Sequence, residues 1–169
     1  MIWSDKKIEE ALAKGYINIE PFDKSMLQPN SIDLRLDDEI LVYNSDSNNF
    51  ESAFLSDDDF ELQRGEFVLA STLEKITLGN SMCGQVDGKS SYGRKGVQVH
   101  QTAGWIDSCF SGNITLEMCT IGQPIKLEVG MPICQLVLFD AYPSEKPYGS
   151  EGLNSHYQNQ TKVTKSWIQ

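Results

Sequence analysis

The sequence predicts a mainly β fold opened by one short helix. From Ser31 onward, strand-like runs recur: SIDLRL, which alternates, then EILVY, EFVLAST, KITL, GVQVH, NITLEMCT, PIKLEV and PICQLVLF. Gly, Pro, Asn and Asp separate them, and short strands at such close spacing argue for a β-sandwich or barrel rather than βαβ units. The length of 169 residues suffices for one good core, which sets a single domain over residues 1–169.

The helix comes first. Ser4 is placed to cap DKKIEEALAK, Ile8, Ala11 and Leu12 fall on one face at i, i+3 and i+4, and Gly15 sits where a helix ends. The segment from Tyr43 to Gly65 is polar and acidic and reads as a long surface excursion. Its SDDD run lacks the ligand spacing and turn glycine of a calcium loop and reads as a solvated charge run. Residues 142–169 are rich in Ser, Gly, Asn, Gln and Lys with little apolar periodicity, the composition of a mobile tail or a lid.

Composition excludes several functions. Lys and Arg number 14 against 24 Asp and Glu, so a basic face for a nucleic-acid polymer is absent, while a local site for a small anion stays open. No run of about 20 apolar residues is available for a membrane span. The opening MIWSDKKIEE carries charges where a signal peptide needs its apolar region, which points to the cytoplasm. Cys83, Cys109, Cys119 and Cys134 are spaced too unevenly for a C-x-x-C pair and read as buried small hydrophobes. With only His100 and His156 beside them, the inventory for a zinc site is poor.

Three stretches carry chemistry. In GKSSYGR, Ser90 and Ser91 lie between Lys89 and Arg94, offering short donors and two cations to a phosphate chain, although the order is not that of a P-loop. A plain Gly-Ser turn explains the same residues. What favours the anion is scarcity: the chain has only three arginines, at 35, 64 and 94. In GNITLEMCT, strand alternation sends Ile114, Leu116 and Met118 to one face and Thr115, Glu117 and Cys119 to the other. Glu117 is either a wet-face carboxylate or, if both faces are covered, a proton shuttle. In HQTAGWID, Ala103 and Gly104 form a small-residue notch beside Trp105 where a flat ring can lie, and Asp107 offers a carboxylate to a sugar hydroxyl. A tight turn with an Asp cap fits equally, and His100 is read as a core histidine bonded to backbone rather than a base.

Together, SIDLRL at 31–36, GKSSYGR at 88–94, HQTAGWID at 100–107 and ITLE at 114–117 resemble the dCTP deaminases of the dUTPase-like superfamily. GYINIEPF near the start and HYQNQ near the end extend the resemblance over nearly the whole chain. It implies a distorted jelly-roll (dUTPase-like β-clip) subunit, a homotrimer with sites between neighbours, and a deaminase that needs no zinc. By the same resemblance Lys89, Ser90, Ser91 and Arg94 hold a triphosphate with its Mg²⁺. Asp107 meets the deoxyribose 3′-hydroxyl, Phe110 packs near the sugar, and Glu117 is the catalytic glutamate. Ser90, Arg94 and the backbone at Ala103 hold the water that attacks C4 of cytosine.

The resemblance further implies that Tyr157 and Gln160 belong to a C-terminal segment that closes over the nucleotide. Two positions depart from the family pattern: Lys89 stands where many relatives carry arginine, and His156 where many carry lysine. The main reaction expected is deamination of dCTP to dUTP and ammonia, with dTTP a candidate inhibitor. The alternative is a bifunctional enzyme that continues to dUMP and pyrophosphate. The AGWID form of Ala103–Asp107 resembles its bifunctional members, since single-function ones tend to carry a His-Arg pair at the positions of Gly104 and Trp105. A catalytically silent nucleotide-binding module is the remaining reading.

Overall fold

The computed structural model describes residues 1–57 and 59–168. Helix α1 (Asp5–Ala13) forms as its sequence dictates: Ser4 Oγ accepts from the Lys7 N–H, and Gly15 takes φ +69° just past the end. Its apolar face, Ile8 and Ala11, is buried. Strands follow: β1 (Ile17–Glu20), β2 (Leu27–Gln28), β3 (Ser31–Arg35), β4 (Glu39–Asn44), β5 (Asn49–Phe54), β6 (Glu61–Leu62), β7 (Phe67–Leu78) and β8 (Met82–Gly88). One helical turn, α2 (Ser90–Gly93), interrupts them before β9 (Val97–Gln98), β10 (Trp105–Ile106), β11 (Ser111–Thr120), β12 (Ile125–Lys126) and β13 (Pro132–Asp140). The mainly β expectation holds, and none of the described helices is long and apolar enough to cross a membrane.

Two larger sheets share one apolar cluster. The first runs β5-β4-β7-β11-β9 with β1 also on β7, the second β10-β8-β13-β3-β2, and β12 pairs β6 separately. Leu34, Leu136 and Val86 from one sheet meet the same core as Ile40, Val68, Ala70, Leu116 and Met118 from the other. Every paired strand in them is antiparallel, which lets short turns do the connecting.

Two expectations need correction and a third gains detail. EFVLAST and KITL are a single 12-residue strand rather than two, bent where the β7–β11 register shifts between Asn113 and Thr115. Thr72 satisfies the bulge, accepting from the Ile114 N–H at 3.0 Å and donating to the Glu74 carbonyl at 2.8 Å. The bulge also turns Glu74 inward, where Arg35 Nε meets it at 2.6 Å and the Arg35 N–H at 2.8 Å. Secondly, the acidic excursion at 43–65 holds a β-hairpin, because Tyr43 and Phe50 face each other across β4 and β5 with their rings edge to face. Asp58 of its SDDD run lies outside the described residues. Thirdly, SIDLRL does not alternate between core and water. Ile32 and Leu34 enter the core, yet Ser31 and Asp33 are buried too, under Gln28 and Gln135 of the flanking strands.

The N-terminus is fastened by one carboxylate. Asp140, at the end of β13, accepts from Trp3 Nε1 at 2.9 Å and also pairs with Lys7. The Lys7 hydrogen bond, helped by Trp3, holds its carboxyl below the ordinary 3.8. A depressed carboxylate stabilises the fold above its unfolded pKa, and that contribution is lost as pH falls through the folded value. Asp140→Asn is therefore expected to lower the thermal midpoint at pH 6–7, and the difference from wild type should shrink below about pH 4. Calorimetry across that range checks it.

Candidate active site

The expected alternation in β11 is observed. Leu116 and Met118 are fully buried, while Thr115, Glu117 and Cys119 stand half-buried on the opposite face. Thr115 and Glu117 of that face wall a cavity of ≈ 400 Å³. Glu117 and Thr115 form one side, Phe67 and Leu69 of β7 extend it, and Ala103, Trp105, Asp107 and Phe110 close another. Glu117 is held by its neighbours: Oε2 accepts the Gln101 N–H at 2.9 Å, and the Gln101 amide reaches back to the Glu117 carbonyl at 3.4 Å and Cys119 Sγ at 3.2 Å. One carboxylate oxygen is thus held by backbone while the residue lines the cavity, an arrangement suited to proton transfer.

The segment Gly104–Phe110 owes its position to close packing on β8. The Val86 N–H donates to the Gly104 carbonyl at 2.7 Å, and β10 pairs Trp105 with Gln85 and Ile106 with Gly84. A Cβ at Gly104 would lie 2.8 Å from the Val86 carbonyl and 2.9 Å from His100 Nε2. The notch expected at Gly104 to receive a flat ring is therefore already filled by the His100 ring. His100 is not bonded to backbone as expected, for its buried Nδ1 has no hydrogen-bond partner among the described residues. Trp105 is exposed, stacks on Phe139 with centroids 5.9 Å apart, and also lines the cavity. Phe110 is buried against Tyr148.

The C-terminal residues lie across this cavity rather than away from it. The Asn113 N–H donates to the Gln160 carbonyl at 3.1 Å, Gln160 Nε2 donates to the Asn113 carbonyl at 2.6 Å, and the Thr164 N–H reaches Thr115 Oγ1 at 3.2 Å. Tyr157 and Gln160 both line the cavity, as do Tyr148, Thr164 and Lys165. Lys165 Nζ is tied to the β4–β5 hairpin at the Phe50 carbonyl, 3.0 Å away. Gly112, at φ +154°, passes so close to Gln160 that a Cβ would sit 2.9 Å from its carbonyl. Sequence reasoning found Tyr157 and Gln160 but missed Tyr148, Thr164 and Lys165, which carry no pattern. Thr115 was available in principle, two residues before Glu117 on the same strand face.

The phosphate candidates lie elsewhere. Ser90, Ser91 and Arg94 are exposed on α2 and its C-cap, and none of the residues 89–94 lines the Glu117 cavity. Ser90 borders a second, more open hollow of ≈ 370 Å³ together with Lys89, Gln98 and His100. Lys89, expected to help hold the triphosphate, pairs with the buried Asp33. The turn is held from behind by a backbone crossing so tight that a Cβ on Gly122 would lie 2.0 Å from the Lys95 carbonyl. Gly122→Ala is expected to cost about 1–3 kcal/mol and to displace Arg94 with the turn. A lowered urea midpoint checks the first effect and weakened nucleotide binding the second.

The four cysteines are free. Cys83 and Cys134 are buried as expected, whereas Cys109 and Cys119 are half-buried. Burial pushes both buried thiols up, aided at Cys83 by Asp107 and at Cys134 by Glu74 and Asp33. Among the described residues no three His, Cys, Asp or Glu side chains converge as a ligand set.

Comparison with known proteins gives a consistent result. The model of the family described as dCTP deaminase-like matches residues 2–141. A protein of Corynebacterium glutamicum named "dCTP deaminase, dUMP-forming" is 43% identical, over 98% of this chain and 95% of that protein. Proteins of the same name from Acidothermus cellulolyticus and Streptomyces coelicolor are each 44% identical, over 99% and 98% of this chain and 96% and 94% of theirs. Among solved structures, the 2′-deoxycytidine 5′-triphosphate deaminase of Agrobacterium tumefaciens has the same fold, with a TM-score of 0.69 at 22% identity. That match covers 81% of this chain and 46% of the other. The dUTPase of Staphylococcus bacteriophage 80alpha follows at TM-score 0.51 and 12% identity, over 78% of this chain and 94% of that one. The relatives' names overturn the main expectation from sequence, a reaction that stops at dUTP and ammonia, because they form dUMP. That expectation gave too little weight to AGWID, whose Gly104 admits no side chain where it packs on Val86 and His100.

Proposed function

This chain belongs to the dCTP deaminase-like family, and from that premise we propose that it converts dCTP to dUMP, ammonia and pyrophosphate through two hydrolyses in one site. The observation that carries the reading is Glu117: a strand carboxylate clamped by the Gln101 N–H on the wall of a ≈ 400 Å³ cavity that Asp107, Tyr157 and Gln160 also line.

In the first hydrolysis Glu117 takes a proton from a water held beside the Ala103 backbone, Ser90 and Arg94. The water oxygen attacks C4 of cytosine, and the same carboxyl returns protons to the ring and to the departing ammonia. In the second, Asp107 orients another water toward the α-phosphate and pyrophosphate leaves. Asp107 also accepts from the 3′-hydroxyl, while Phe110 and the edge of Trp105 flank the sugar and base. Ser90, Ser91 and Arg94 bind the triphosphate, and Mg²⁺ arrives on it as part of the substrate.

Residues 142–169 act as a lid, because Tyr157 and Gln160 already lie on the cavity wall and closure there excludes bulk water. The separation of the Ser90–Arg94 turn from the Glu117 cavity within one chain supports sites shared between subunits of a homotrimer of jelly-roll-like units. One experiment tests both parts. Glu117→Gln and Arg94→Ala, each on its own, are expected to release ammonia from dCTP at a strongly reduced rate, and to regain activity when their subunits are exchanged in mixed oligomers. Absence of ammonia release from the wild-type protein overturns the reading, and failure to complement overturns the shared site.

A further inference from the structure

We propose that Lys89 is a positioning residue whose ammonium is committed to Asp33, so that the ion pair sets the turn bearing Ser90 and Arg94 and Lys89 does not bind phosphate. The proposal rests on the roles given above to Ser90 and Arg94.

Asp33 sits mid-strand in β3, with its side chain only 8% exposed. A carboxylate there is costly unless paired. Gln28 Nε2 supplies one neutral donor at 3.2 Å, and Lys89 supplies the only charge that reaches it among the described residues. If Lys89 swung out to a phosphate, Asp33 would stay buried with that one amide. The lysine side chain is itself only 23% exposed, so leaving would also break its packing.

The same hinge is tied a second time. Gln135 Nε2 donates to the Gly88 carbonyl at 3.0 Å, and Gln135 Oε1 accepts from Ser31 Oγ at 2.9 Å. In register, Gln135 stands between Asp33 on β3 and Asp87 on β8, so this polar row crosses three strands just where β8 ends. Gly88 and Lys89 are thus fastened on two successive residues. The next turn hangs from Lys89 directly: its carbonyl accepts the N–H groups of Tyr92 at 3.0 Å and Gly93 at 2.9 Å. Lys89 has no side-chain role as a cap on α2, which leaves its ammonium free for Asp33. A lysine suits this task, because a compact ammonium on a flexible stem reaches back to a single oxygen, whereas a guanidinium fork would seek two.

The test compares Asp33→Asn, Lys89→Met, Lys89→Arg and the double variant Asp33→Asn/Lys89→Met. It uses hydrogen exchange on nucleotide-free protein and steady-state kinetics with dCTP. If the pair positions the turn, both single neutral variants speed exchange at Tyr92, Gly93 and Arg94. Both lower kcat by a similar factor, about 10- to 100-fold for ångström-scale misplacement. The double variant is then no worse than either single one, and Lys89→Arg recovers the most.

If Lys89 contacts phosphate instead, Lys89→Met raises KM while Asp33→Asn leaves KM and exchange unchanged or tightens binding, and the proposal falls. Exchange that rises throughout β11 as well, with kcat per folded molecule unchanged, marks a general loss of stability and also overturns it. Should no protein, wild type included, release ammonia, the functional reading fails, and local coupling of the four variants in exchange still decides the ion pair's role.

Discussion

Glu117→Gln is expected to lower ammonia release from dCTP by about 10²–10⁴-fold while nucleotide binding stays within a few-fold of wild type. The substitution keeps the shape of the side chain and an oxygen to accept the Gln101 N–H, which in the native protein reaches Oε2 at 2.9 Å. It removes only the ability to take and return a proton. Leu116 and Met118 anchor the strand from the opposite face, so the fold should be undisturbed. Calorimetric titration of the variant with dCTP, beside an ammonia assay, separates binding from chemistry. A variant that still releases ammonia at the wild-type rate would remove Glu117 from the mechanism.

Asp107→Asn is expected to act on the second hydrolysis, cutting dUMP and pyrophosphate about 10²-fold or more if Asp107 orients the attacking water. Loss of a charged acceptor for the 3′-hydroxyl should also raise KM for dCTP by about tenfold or more. The distinctive readout is therefore a product ratio. With Asp107 neutralised, ammonia should continue at saturating dCTP while dUTP accumulates in place of dUMP. Asp107 stands in the same cavity wall as Glu117 but on the segment after β10, so the two substitutions should divide the two steps. Equal suppression of ammonia and dUMP would instead give Asp107 a part in binding alone.

Local rules made much of this protein legible. The Ser4 cap, the glycine at φ +69° after α1 and the alternation that points Glu117 away from the core each depend on residues a few positions apart. What escaped depends on distant partners. The SIDLRL face bearing Ser31 and Asp33 reads as wet, and there Gln28 of β2, Gln135 of β13 and Lys89 bond to those two buried side chains. Lys89 reads as a free cation beside two serines, and its partner is 56 residues earlier. The Gly104 notch reads as open until His100 is seen to fill it.

The tail shows the same limit. Its polar composition denies it a core, yet hydrogen bonds from Gln158, Gln160 and Thr164 to Cys109, Asn113 and Thr115 hold it on the cavity. No periodicity announces contacts of that kind. The four motifs in register were enough to place the family, and they left undecided how far the reaction runs.

The most direct test of the account is the product set formed from dCTP and Mg²⁺ by the purified protein, resolved over time into dUTP, dUMP, pyrophosphate and ammonia. The account predicts that dUMP, pyrophosphate and ammonia rise together in equal amounts, with dUTP a minor species throughout. Accumulation of dUTP with ammonia, without pyrophosphate, would contradict it.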